Sequence, residues 1–223
     1  MGFYDTYSDI FVNDDETIEI PELGEASFRN RLLSTQEHNM DLIKLFASGV
    51  RHTLNKPQRV LHDDDEYYVG IDLYTGTYYV CYKQLLMVDI DYYKGDIETD
   101  EIEIINNFKA LCQQQPDLLF RLYRSRNGIH GFLVSTRMNY RNNESISLML
   151  NLGSDFYYTV YSYLRVWSVR LNRKTTDTSD QLYTYICDIG EGTLDPLLDK
   201  LTNLHINLVD VFKNTKPNTM HGS

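Results

Sequence analysis

From Gln84 to Tyr93 the chain reads QLLMVDIDYY, an apolar run that drives into two aspartates separated by one isoleucine. A continuous apolar segment of this length predicts a buried central strand rather than a half-solvated one. Alternate side chains of a strand share a face, so Asp89 and Asp91 would point the same way, roughly 6–7 Å apart along the backbone. Two like charges so close repel unless a cation lies between them or water takes both. A divalent metal ion and a solvated strand end are the two answers.

The segments on either side frame that strand. Residues 59–83 alternate in a β-like manner, with a turn at Thr75-Gly76. From Thr99 the residues Ile102, Ile104, Ile105, Phe108, Leu111 and Cys112 recur at helical spacing, and Pro116 closes that helix. Two strand-like pieces, DLLFRLYRS and IHGFLVSTR, meet at Arg126-Asn127-Gly128, a tight-turn signal. A short helix is expected over Asn143–Asn151, then strands at Tyr157–Tyr163, Val166–Leu171 and Leu182–Cys187, and a last helix from near Leu194. Met40, Leu42, Ile43, Phe46 and Val50 suggest one more amphipathic helix over Gln36–His52, ended by Lys56-Pro57. Strand, helix and hairpin around one core argue for an α+β sandwich rather than a doubly wound sheet.

Charge bears on partners. The chain carries a formal −11, yet Arg121 to Lys174 holds nine basic residues against two acids, a net of +7 that leaves −18 elsewhere. The middle could face phosphates while the flanks could not; alternatively, its arginines are scattered over solvated faces. Residues 1–25 hold eight acids and no base and read as a flexible arm, and the polar 213–223 as a flexible tail. No apolar run approaches the ~18 residues a membrane-spanning helix needs. An acidic N-terminus is unlike a secretory signal, and Cys81, Cys112 and Cys187 are odd in number and far apart. The expectation is an intracellular, reducing setting, cytoplasmic or nuclear, with no disulfide framework and no membrane partner.

Three further features carry chemistry. His130 stands just past the turn glycine Gly128, at a strand mouth, where it serves either as a structural histidine or as a contact for phosphate or a metal ligand. Ser125, between Arg124 and Arg126, offers hydroxyl and guanidinium donors suited to phosphate oxygens. Asp155 is an isolated acid ahead of the basic WSVRLNRK, either a salt-bridge partner or a third metal ligand. The run His62-Asp63-Asp64-Asp65-Glu66 looks more metal-like than any of these. Consecutive acids alternate faces in a strand, and the spacing is not that of a calcium loop, so it reads as a solvated loop.

In order, VDID (Asp89, Asp91), SRNGIHGF (Ser125, Gly128, His130), Asp155 and WSVRLNRK (Ser168, Arg170, Lys174) resemble the archaeo-eukaryotic primase superfamily over some 90 residues, about 85–174. The resemblance implies a primase-polymerase-like catalytic fold: a mixed or antiparallel central sheet, an RRM-like module flanked by helices, forming a single domain over 26–212. It implies that Asp89, Asp91 and Asp155 coordinate two Mg²⁺ or Mn²⁺ ions. Ser125, Gly128 and His130 would line the triphosphate of an NTP or dNTP, with Arg170 and Lys174 adding charge. The implied activity is template-dependent nucleotidyl transfer, as a primase or polymerase in DNA replication or repair, with a DNA template and possible partners such as a helicase or other replication protein. A non-catalytic subunit or nucleic-acid-binding module of the same fold is the alternative. A metal-dependent nuclease of rolling-circle type would want a pair of histidines that the sequence lacks. The chain has no Cys/His zinc module of the kind many primases carry, and Asp177 and Asp188 compete with Asp155 as the third acid.

Overall fold

The computed structural model describes residues 58–73, 75–92, 96–173 and 183–215. The expected Gln36–His52 helix, the acidic arm, Lys174, Asp177 and the tail beyond Thr215 lie outside the described residues. The fold is α+β, with two antiparallel four-stranded sheets and four helices among the described residues. Strands β1 (Gln58–Asp63), β2 (Tyr67–Asp72), β3 (Thr77–Tyr82) and β7 (Trp167–Arg170) form the first sheet in the order β1-β2-β3-β7. Strands β4 (Met87–Asp91), β5 (Leu119–Arg124), β6 (Gly128–Leu133) and β8 (Thr184–Gly190) form the second, in the order β4-β6-β5-β8. Where one central sheet was expected, the strands thus divide between two.

Helix α1 (Ile97–Gln114) carries the chain from β4 to β5, and β6 inserts antiparallel between those two strands, giving a split β-α-β unit. The helix buries Ile104, Phe108, Leu111 and Cys112, a stripe at three- and four-residue spacing. Phe108 meets Phe120 of β5 edge-on, with centroids 5.0 Å apart. On β6 a Cβ at Gly131 would sit 2.6 Å from the Phe108 ring, so only glycine leaves room for it. Residues 120, 122 and 131 therefore face α1, and the alternate set faces the other way.

That other face is covered by helix α4 (Pro196–Phe212). Asp195 caps it, accepting from Leu197 and Leu198 N–H, with Pro196 at its first position. Its buried stripe is Leu198, Leu201, Thr202, His205 and Val209. The helix reaches both sheets: His205 meets Tyr82 of β3 and Phe132 of β6, and Phe212 stacks on Tyr78 of β3. One continuous core results, centred on the fully buried Trp167, Tyr82, Phe108, Phe120 and Phe132.

Helix α2 spans Asn143–Asn151, as the pattern predicted. The strand expected over Tyr157–Tyr163 is instead helix α3 (Phe156–Arg165). Its tyrosines, threonine and valine favour strands by composition, but Phe156, Thr159, Val160 and Ser162 are buried at helical spacing. The Asp155 carboxylate supplies the cap by accepting from Tyr158 N–H at 2.8 Å. Val166 then turns the chain into β7 in one step, at a φ of 64° that a β-branched residue rarely adopts.

Candidate functional site

Strand β4 lies at the edge of the second sheet rather than at its centre as the apolar run predicts, yet it is buried because other elements cover it: Met87, Val88 and Ile90 are buried, Asp89 is half-buried and Asp91 exposed. In-register pairing sets Asp89 opposite His130, His130 opposite Tyr123, and Tyr123 opposite Tyr185, one row across all four strands. Asp91 pairs with Gly128 at the mouth of the β5–β6 hairpin. Both aspartates lie on the α4 face, the alternate set to Gly131.

The hairpin is closed tightly. Ser125 N–H donates to the Gly128 carbonyl at 2.8 Å, and the Ser125 hydroxyl donates to the same oxygen at 3.1 Å. A Cβ at Gly128 would lie 2.0 Å from the Ile90 carbonyl oxygen, so the backbones of β4 and β6 approach there as only glycine permits. Tyr92 N–H donates to Asn127 O, which ties the residue after Asp91 to the turn.

The outer edge of β4 is covered by the turn between α2 and α3. Asp155 N–H donates to the Asp89 carbonyl at 2.6 Å. The Ser154 hydroxyl accepts from Asp89 N–H and donates to Asp89 O, each at 3.3 Å. Three acids separated by up to 66 positions in sequence are thereby brought to one strand end, with Asp155 at the N-terminus of α3. Its rival Asp188 is committed elsewhere, accepting from Arg121 at 3.0 and 3.2 Å. Among the described residues no group of three or more His, Cys, Asp and Glu side chains is gathered as a metal cage. The case for the three acids rests on where the backbone puts them. Their donor atoms are hard carboxylate oxygens, the chemistry that Mg²⁺ and Mn²⁺ take.

Both ring nitrogens of His130 are engaged inside the protein. Nε2 lies 3.0 Å from Asp89 Oδ1, and Nδ1 meets the Tyr183 hydroxyl. Burial, and then the charge of Asp89, push the Tyr183 hydroxyl well above its ordinary pKa. Sequence reasoning singled out His130 but not Tyr183, because a tyrosine at the start of a strand has no pattern of its own.

The basic residues divide. Arg124 forms a two-point bridge to Glu101 of α1, whose carboxyl is held below its ordinary pKa chiefly by that guanidinium, and Tyr92 donates to the same carboxylate at 2.6 Å. Arg121 bridges Asp188 and Asp199, and Arg137 bridges Asp195. These three arginines of the basic segment are thus paired with acids from outside it. Arg170 belongs to the first sheet, where its guanidinium donates to the carbonyls of Asn172 and Arg173 and burial lowers its pKa. The acidic run divides: His62 and Asp63 end strand β1, paired with Val69 and Tyr68, and only Asp64, Asp65 and Glu66 form the expected solvated turn to β2. Asp64 accepts there from Glu66 and Tyr67 N–H and pairs with His62, while Lys83 pairs with Asp63.

The chain matches no family model, and neither a curated protein nor a solved structure is significantly similar to it. Among the described residues no helix is long and apolar enough to cross a membrane.

Proposed function

We propose that the chain is a template-dependent nucleotidyltransferase of primase or polymerase type, with its centre at the end of β4. The observation that carries this reading is the bond from Asp155 N–H to the Asp89 carbonyl, which sets a third acid beside the Asp89–Asp91 pair. Asp89, Asp91 and Asp155 would hold divalent cations, Mg²⁺ or Mn²⁺, whose chemistry is to stabilise charge on the attacking and leaving oxygens of an in-line phosphoryl displacement. The chain's own groups position and exclude. The Ser125–Gly128 hairpin closes one wall of the site next to Asp91. Ser154 holds the Asp89 backbone from the other side. His130 holds the Asp89 carboxylate itself. The substrates this chemistry suits are an NTP or dNTP and a nucleic-acid 3′-hydroxyl, the latter attacking the α-phosphorus with pyrophosphate leaving.

A second reading is a nucleic-acid-binding module without catalysis. The commitment of Arg124 to Glu101 and of Arg170 to its own strand exit takes two cations from a triphosphate, which weakens the catalytic reading without by itself supporting nucleic-acid binding. One assay separates the two: incorporation of labelled NTPs or dNTPs on single-stranded template with Mg²⁺ or Mn²⁺, beside the Asp89→Ala/Asp91→Ala variant. The catalytic reading expects product from the wild type and loss of it in the variant. No wild-type product, or equal product from the variant, refutes it.

A further inference from the structure

We propose that Tyr183 is a positioning residue for the acid site: its hydroxyl donates to His130 Nδ1, fixes the neutral imidazole with its proton on Nε2, and so holds the Asp89 carboxylate. The direction of each hydrogen bond follows from what its partners can do. An ionised carboxylate only accepts, so Asp89 Oδ1, 3.0 Å from His130 Nε2, requires the proton on that nitrogen. In a neutral ring Nδ1 then has only a lone pair left, and the Tyr183 hydroxyl, whose pKa burial raises, is the donor in contact with it. The chain of donors runs one way, from Tyr183 through His130 to Asp89.

The tyrosine is itself seated. Its ring packs edge-on against His130 at 5.1 Å, His205 at 4.9 Å and Tyr123 at 6.2 Å between centroids. These contacts come from β6, α4 and β5, so the hydroxyl is aimed by three elements of the core. Without it Nδ1 would be a largely buried acceptor lacking a donor, since the His130 side chain is 14% exposed. Only Asp89 would then favour a proton on Nε2, and the tautomer protonated on Nδ1, which cannot donate to Asp89, would become accessible.

The arrangement changes what His130 does. Rather than offering a nitrogen to a triphosphate, it orients an acid from behind, as hydrogen-bond partners behind metal ligands do, where their loss typically costs about 10–100-fold in affinity. That consequence rests on the proposed cation site; the tautomer does not.

Two measurements on the full chain test it. Long-range ¹H–¹⁵N NMR at mildly alkaline pH reads the His130 tautomer, and Mn²⁺ titration followed by electron paramagnetic resonance reads the acid site. Wild type is expected to show Nε2 protonated and Nδ1 bare. Tyr183→Phe, which keeps the ring packing, is expected to show mixed tautomers and roughly tenfold weaker Mn²⁺ binding. A wild-type ring protonated on Nδ1 overturns the proposal, even if the variant fails to fold. So does a folded variant with unchanged tautomer and unchanged Mn²⁺ affinity. If the tautomer behaves as stated but wild type binds no Mn²⁺, the cation site falls while the fixing of His130 by Tyr183 is upheld.

Discussion

His205 should make this protein acid-labile in a way one substitution removes. It is fully buried on α4, its Nδ1 is 3.0 Å from the Tyr82 hydroxyl, and among the described residues its Nε2 has no hydrogen-bond partner. Burial, and secondarily the nearby His130, lower its pKa from 6.5 to about 3. The folded chain therefore keeps His205 neutral while the unfolded chain protonates it below pH 6.5, so the unfolded state binds the extra proton and stability falls with pH. Linkage puts the loss at about 1.4 kcal/mol at pH 5.5 and about 2.7 kcal/mol at pH 4.5, relative to pH 8. Urea unfolding at those three pH values measures it in wild type and in His205→Gln, which retains an acceptor for Tyr82. Carboxylate titrations common to both chains cancel in the comparison. The variant should start less stable at pH 8 and close the gap by these amounts on acidification. A constant offset between the two across the range refutes the reasoning.

Gly128→Ala should cost on the order of 3 kcal/mol, because a Cβ 2.0 Å from the Ile90 carbonyl oxygen forces β4 and β6 apart beside Asp91; urea midpoints check this, and a cost below about 1 kcal/mol contradicts the close approach. Glu101→Gln should lower stability by about 1 kcal/mol, since its bridge to Arg124 is half in solvent. The same change releases Arg124, so affinity for single-stranded DNA should rise, read by fluorescence anisotropy at fixed salt. Replacing Asp63, Asp64 and Asp65 together by asparagine should leave Mn²⁺ binding unchanged, as their turn is exposed and already satisfied by Tyr67 N–H, Glu66 N–H, His62 and Lys83.

Much of the fold was legible where local pattern and tertiary demand agree. The burial of the apolar run into Asp89, the α1 stripe, the Arg126-Asn127-Gly128 turn and helix α2 follow from spacing and turn chemistry, whereas the edge position of β4 does not, since a covered edge strand is as apolar as a central one. Helix α3 was misread because Tyr157, Tyr158, Thr159 and Val160 prefer strands, while its cap and its buried stripe prefer a helix. The division into two sheets depends on which strand ends meet, and no local signal reports that. Within the site, the proximity of Asp155 to Asp89 is implied only by the resemblance, since the residues themselves leave Asp155 open, and a backbone bond joins the two. Charge alone leaves open whether the basic segment faces phosphates or scatters, and for Arg121, Arg124 and Arg137 the partners Asp188, Asp199, Glu101 and Asp195, all outside the segment, decide against phosphates. Tyr183 and His205 were invisible as site neighbours because their roles arise only when β6 and α4 pack together.

Mn²⁺ titration of wild type beside Asp91→Asn and Asp155→Asn asks whether the end of β4 holds a cation. Asparagine caps a helix as well as aspartate does, so the second variant keeps the bond to Tyr158 N–H and the start of α3 while removing the charge. A three-acid cation site expects saturable Mn²⁺ binding by wild type, weakened at least about tenfold in each variant with the fold intact. Binding that ignores both substitutions, or no saturable binding in wild type, contradicts it.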